Sequence, residues 1–141
     1  MSFFIWYEGK VPSVNRYYRH LKNGGHYISP EGRIFKTRLG WEARRAGIKS
    51  PLEGWVSIEI EWHCKARCRG GDLDNRAKAV MDALEKIAYR NDYYVVELTM
   101  RKIMDSPYGE GALIRIREAN PPNSLFGKEI EAARKSRGEY K

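Results

Sequence analysis

Gly70–Asp92 reads GGDLDNRAKAVMDALEKIAYRND, and the fold turns on what its apolar residues must face. Leu73, Ala77, Val80, Leu84 and Ile87 recur at spacings of four and three, the stripe of an amphipathic helix buried on one side. At about 100° per residue, Asp74, Asn75, Lys78 and Asp82 fall together on the opposite side. The same stretch poses an electrostatic problem. Asp72 and Asp74 open the helix and Asp92 lies just beyond its far end. Like charges converging on one point repel by roughly 4 kcal/mol per close pair at an effective dielectric of about 20. They must be kept apart or neutralised.

A helix with one apolar stripe needs a sheet to bury it, and strands lie on both sides in sequence. Upstream, Trp55–Cys64 alternates: Val56, Ile58, Ile60, Trp62 and Cys64 point one way, and Ser57, Glu59, Glu61 and His63 the other, predicting a strand with one core face and one wet face. The loop KARCRGG separates it from the helix. Downstream, Tyr94–Ile103 alternates well enough for a strand, SPYGEG is a turn, and Ala112–Arg117 is the returning strand. Towards the N-terminus, FFIWY is a short buried strand, and NGG in RYYRHLKNGGHYIS marks a tight hairpin-like turn. Ser29 and Pro30 form a boundary, after which Ile34–Ala46 suits a helix with apolar Ile34, Leu39, Trp41 and Ala43, ended by Gly47. The order β-α-β-α-β-β predicts one small α+β domain: a mixed β-sheet with two main helices packed on it, over residues 1–119. NPPNS (Asn120–Ser124) closes it, leaving a tail over 120–141 expected to be helical or disordered.

At 141 residues and 42% hydrophobic, the chain suits a single domain with its own core. Its apolar runs fall far short of the roughly 20 residues that span a bilayer, and the N-terminus lacks the basic region and cleavage site of a leader. A soluble cytoplasmic protein with no membrane partner is expected. Cys64 and Cys68 are too few for a disulfide framework, pointing to a reducing compartment. The net charge of +8 is unevenly spread. Residues 1–50 hold ten Lys and Arg against Glu8, Glu31 and Glu42, whereas Asp72–Asp92 holds five acids and four bases. A locally acidic segment inside a basic chain points to a partner with a phosphate backbone. Solubility alone is the plainer explanation of net charge.

For the acids, the plain alternative is a helix N-terminus, with Asp72 as N-cap and Asp74 against the helix dipole. That explains neither Asp92 nor the presence of Asn75 and Lys78 on the face of Asp74. Oxygen donors without a nearby His or thiolate suit a hard cation, Mg2+ or Mn2+, which would also remove the repulsion. A zinc site from His63, Cys64 and Cys68 lacks a fourth ligand at matching spacing. Cys64, on the core side of its strand, is expected to be a buried free thiol.

DLDNRAKAVMDAL followed by ND and a strand resembles the signature of the RusA family of Holliday junction resolvases, phage- and prophage-associated endonucleases that cut four-way DNA junctions. VPSVNRYYR and HYISPEGRIFK resemble that family's opening segment, and the similarity runs in order over residues 3–118. The resemblance implies a homodimer, Mg2+ dependence, and Asp72, Asp74 and Asp92 as metal-binding catalytic carboxylates supported by Asn75 and Lys78. Many family members carry two adjacent acids where this chain has Asn91 and Asp92, and only Asp92 matches. The reaction expected is phosphodiester hydrolysis, with Lys78 offsetting charge on the phosphorane-like transition state or positioning the nucleophile. Asp82 is read as a structural partner of Lys78 or Lys86. Arg16, Tyr17, Tyr18, Arg19, His20 and Lys22 interleave aromatics with cations, as a surface tracking branched DNA does. Lys65, Arg67 and Arg69 precede the acids, where they can hold the scissile strand. A helix unbroken over Leu73–Tyr89 would hold its ends roughly 25 Å apart, so a site shared between subunits is expected, with Asp92 supplied by the partner. The competing functions are a junction-binding protein that does not cut and a phosphohydrolase of nucleotides.

Overall fold

The computed structural model describes residues 1–66 and 71–138. In chain order the elements are β1 (Ser2–Glu8), α1 (Val14–Tyr17), β2 (Tyr18–His20), β3 (His26–Ile28), α2 (Pro30–Arg45), β4 (Val56–His63), α3 (Leu73–Leu84), β5 (Val95–Ile103), β6 (Gly111–Glu118) and α4 (Gly127–Gly138). The four long strands form one mixed sheet in the order β1-β6-β4-β5. β6 runs antiparallel to β1 and β4, and β4 and β5 are parallel. Parallel neighbours cannot be joined by a tight turn and need a crossover; α3 supplies it. This is the α+β domain expected. The turn expected at NGG closes the β2–β3 hairpin, the tail carries α4 as the helical alternative had it, and the short α1 is the addition.

Register fixes the core. Ile5 lies beside Ile114 and Ile114 beside Ile60, while Ile116 lies beside Ile58, so the inward residues of three strands line up and are fully buried. On them pack Phe35, Leu39 and Ala43 of α2 and Val80, Ala83 and Leu84 of α3. α2 meets β1 and α3, and α3 meets β5. The opposite sheet face carries Phe4 and Trp6 among ion pairs, of which Arg115 to Glu59 at 3.0 Å is the shortest.

Three expectations shift. The wet side of β4 is wet only at its middle: Ser57 and His63 are buried. His63 is held by Ser106 Oγ at 2.7 Å on Nδ1 and by Glu61 at 3.1 Å on Nε2, so both ring nitrogens are taken and a zinc role closes. Cys64 is buried as expected but disulfide-bonded rather than free, so the cysteines give no support to a reducing compartment. In α2, Ile34 and Trp41 are 60% and 63% exposed. The helix starts at Pro30, earlier than expected, and Gly32, Phe35, Leu39, Gly40 and Ala43 form the buried side. Among the described residues, no helix is long and apolar enough to cross a membrane.

Candidate active site

The amino end of α3 is seated on the sheet by a close approach. Gly71 lies so near the Trp62 ring that a Cβ there would overlap it. Lys102 on β5 donates to the Gly71 carbonyl at 2.8 Å, and the Arg76 guanidinium lies 4.7 Å from the Trp62 ring centroid, a favourable cation–π geometry. The backbone therefore presents Asp72 and Asp74 outward. Asp72 has the extended conformation of an N-cap, yet its side chain makes no capping hydrogen bond. Asp74 follows in the first turn, and both are exposed. Burial lowers the Arg76 pKa, with Asp72 acting to raise it and Arg16 to lower it. Arg76 is thus within electrostatic reach of both.

The far end of α3 departs from expectation. The helix stops at Leu84, not Tyr89. Lys86 takes a positive φ of 69°, the left-handed conformation that reverses a chain. Its N–H donates to the Tyr89 carbonyl at 2.6 Å, and the amides of Ile87 and Ala88 return to Leu84. Tyr89 is buried and its hydroxyl donates to the Met81 carbonyl, tying the turn back onto the helix. Asn91 accepts from the Tyr93 amide at 2.8 Å and so caps the 3-10 turn Asp92–Tyr94. The Lys78 pKa is raised, first by its hydrogen bond to Asp82, with Asp92 and Glu85 adding to it. Asp92 therefore comes within electrostatic reach of Lys78 in the same protomer. The helix unbroken to Tyr89, from which the separation of roughly 25 Å was reckoned, is not formed.

The face of α3 holds two kinds of carboxylate. Asp82 is committed on both oxygens, to the Tyr18 hydroxyl at 2.8 Å and Lys78 Nζ at 3.0 Å. Asp72, Asp74 and Asp92 make no side-chain hydrogen bond or ion pair among the described residues. Among those residues no group of three or more His, Cys, Asp or Glu side chains forms a metal-holding cluster. The donors nonetheless fit a hard divalent cation: they are all oxygen, uncommitted and exposed. Mg2+ needs only one or two carboxylates besides its waters and substrate phosphate.

The sequence profile of the endodeoxyribonuclease RusA family matches residues 8–117. The chain belongs to this family. It is 38% identical over 97 residues to the crossover junction endodeoxyribonuclease RusA of Escherichia coli O139:H28 (strain E24377A / ETEC), covering 64% of this chain and 79% of that protein. The proteins of that name from Escherichia coli (strain K12) and Enterobacteria phage 82 are each 37% identical over 97 residues, with the same coverage. The matched span includes every candidate site residue and leaves α4 outside.

As a RusA family member, the chain distributes its expected DNA-binding residues unevenly. Arg16, Arg19, His20, Lys22 and Lys65 are exposed. Tyr17 is not available to stack on a base: it is 1% exposed, packed edge-on against Phe35 and Tyr18. Tyr18 is half-buried, held by Asp82 through its hydroxyl and by His26 at 4.8 Å between ring centroids. In the chain reversal from α1 into β2, consecutive side chains diverge, and one aromatic of the pair is drawn into the core. Arg67 and Arg69 lie outside the described residues. Sequence reasoning missed Lys10 and Arg76. Two clefts of about 330 and 260 Å3 meet at these residues, the first also reaching Arg16 and Asn75 and the second Lys65. The available signal was the Arg next to Asn75 in DLDNR, a cation beside the acids.

Proposed function

We propose that the protein is a structure-selective endonuclease that resolves four-way DNA junctions by phosphodiester hydrolysis, acting as a homodimer in the cytoplasm. The observation that supports this reading is the uncommitted carboxylates, Asp72 and Asp74 at the amino end of α3 and Asp92 within electrostatic reach of Lys78, beside clefts lined in part by Lys10, Arg16, Lys65 and Arg76. Exposed, unpaired carboxylates in a chain of net charge +8 are suited to a cation that joins them. The groove cations hold the phosphates on either side of the scissile bond, an attraction that depends on ionic strength. Lys78 remains an ammonium at neutral pH and offsets the charge that develops on the non-bridging oxygens. Asn75, half-buried one residue after Asp74, can orient a water or phosphate oxygen. Asp72, Asp74 and Asp92 would hold a Mg2+ or Mn2+ ion, which supplies Lewis-acid activation of the phosphate and a water of lowered pKa.

The test is cleavage of a synthetic four-way junction, a linear duplex of the same sequence and a nucleoside triphosphate, with Mg2+ and with chelator. Paired nicks in the junction alone, lost on chelation, are expected. Binding without cutting in Mg2+ or Mn2+ would leave a junction-binding protein, and turnover of the nucleotide alone would make it a phosphohydrolase.

A further inference from the structure

Asp82 occupies the polar face of α3 two turns beyond Asp74, yet its side chain is only 8% exposed. A carboxylate withdrawn from water is costly unless its oxygens are met, and here both are. Oδ1 accepts from Lys78 at 3.0 Å, and Oδ2 accepts from the Tyr18 hydroxyl at 2.8 Å. An i,i+4 pair on an exposed helix is a weak, mobile contact. This pair differs because a third group, 64 residues away in sequence, fixes the acid from the other side. Lys78 itself is 55% exposed, with a long stem whose freedom must be reduced for its ammonium to meet a phosphate in one geometry.

Tyr18 belongs to the β2–β3 hairpin, registered Tyr18 to Ile28, Arg19 to Tyr27 and His20 to His26. The hairpin's root is immobilised: Tyr17 is in the core, and Ser29 donates an amide hydrogen bond to the Tyr17 carbonyl at 2.9 Å. Its outer part is exposed and basic, with Arg19, His20, Lys22 and His26 in the open. One hairpin thus carries cations suited to a phosphate backbone and the hydroxyl that holds Asp82. We infer that Tyr18 and Asp82 are positioning residues for Lys78, and that Tyr18 couples the DNA-facing hairpin to the ammonium that meets the scissile phosphate. The inference rests on the reading of Lys78 as a group that faces phosphate. It assigns Tyr18 a use other than base stacking and gives Asp82, read from the sequence as a structural partner of Lys78 or Lys86, a positioning role.

A double-mutant cycle tests it, with single-turnover cleavage of a four-way junction and equilibrium binding measured for the parent, Tyr18→Phe, Lys78→Ala and the double variant. Tyr18→Phe should slow cleavage about tenfold while changing the junction Kd by less than about twofold. In the Lys78→Ala background it should have no further effect, because a residue acting through Lys78 has nothing left to act on. Asp82→Asn should behave likewise. Multiplying rate losses in the double variant, or an unchanged rate in Tyr18→Phe, would overturn the assignment. The side-chain nitrogen resonance of Lys78, read without DNA, separates this inference from the function proposed above. It should report a restrained ammonium in the parent and a freely rotating one in Tyr18→Phe. Equal restraint in both overturns the positioning role, whereas a parent that leaves junctions uncut overturns the proposed function.

Discussion

Asp72 has an N-cap backbone but makes no side-chain capping hydrogen bond, so the plain alternative of a helix cap lacks the bond it calls for. Spacing put Asp74, Asn75, Lys78 and Asp82 on one face. It could not say which carboxylates were already engaged, because engagement depends on Tyr18, whose place is set by the tertiary fold. The same limit explains Tyr17 and Tyr18, adjacent and chemically alike, of which one is core and one a hydrogen-bond donor. Burial also makes these phenols report on stability. It is the first cause raising Tyr17, to about 12, with Asp82 and Glu85 next, and it likewise raises Tyr18 and Tyr89. Unfolded tyrosine titrates at about 10. The folded state thus keeps protons that the unfolded state gives up, so this stability is complete below about pH 10 and is lost as pH rises through the folded values. The unfolding midpoint should stay level to about pH 9 and fall above about 10, with tyrosinate absorbance appearing as the chain unfolds. A midpoint falling with tyrosinate formation already near pH 8 would contradict this.

At the scale of elements, the strands were the most legible: alternation matches burial along β6 from Ala112 and through the middle of β4, failing in β4 only at Ser57 and His63 near its ends. Helix ends were the least legible. α3 was read through to Tyr89 because Ile87 continues the apolar period, but the left-handed Lys86 and the Tyr89 hydroxyl turn the chain back after Leu84. α2 begins at Pro30 because Ser29 caps it, accepting from the Gly32 amide at 2.9 Å. The Ser29 hydroxyl also donates to the Arg16 carbonyl, so one buried side chain starts α2 and secures the segment bearing Arg16. Ser29→Ala removes both bonds and should cost about 1–2 kcal/mol, lowering Tm by on the order of 5 °C. A thermal melt within about 1 °C of the parent would mean that the cap contributes nothing.

Across the whole molecule, charge and shape divide the surface. α2 and α3 pack on one side of the sheet, with the β2–β3 hairpin against α2 and α1, and the other face carries self-paired Glu59, Glu61, Arg101 and Arg115. α4 buries none of its residues. On the proposed reading, the phosphate backbone meets the basic clefts, with Asp72, Asp74 and Asp92 beside them. Asp74→Asn tests that arrangement most directly, with gel-shift binding and nicking of one four-way junction measured on the same folded protein. The account predicts that nicking in Mg2+ disappears while junction affinity is unchanged or rises, because a metal donor and a negative charge facing phosphate are lost together. Nicking at the parent rate, or binding and nicking lost in equal measure, would contradict it.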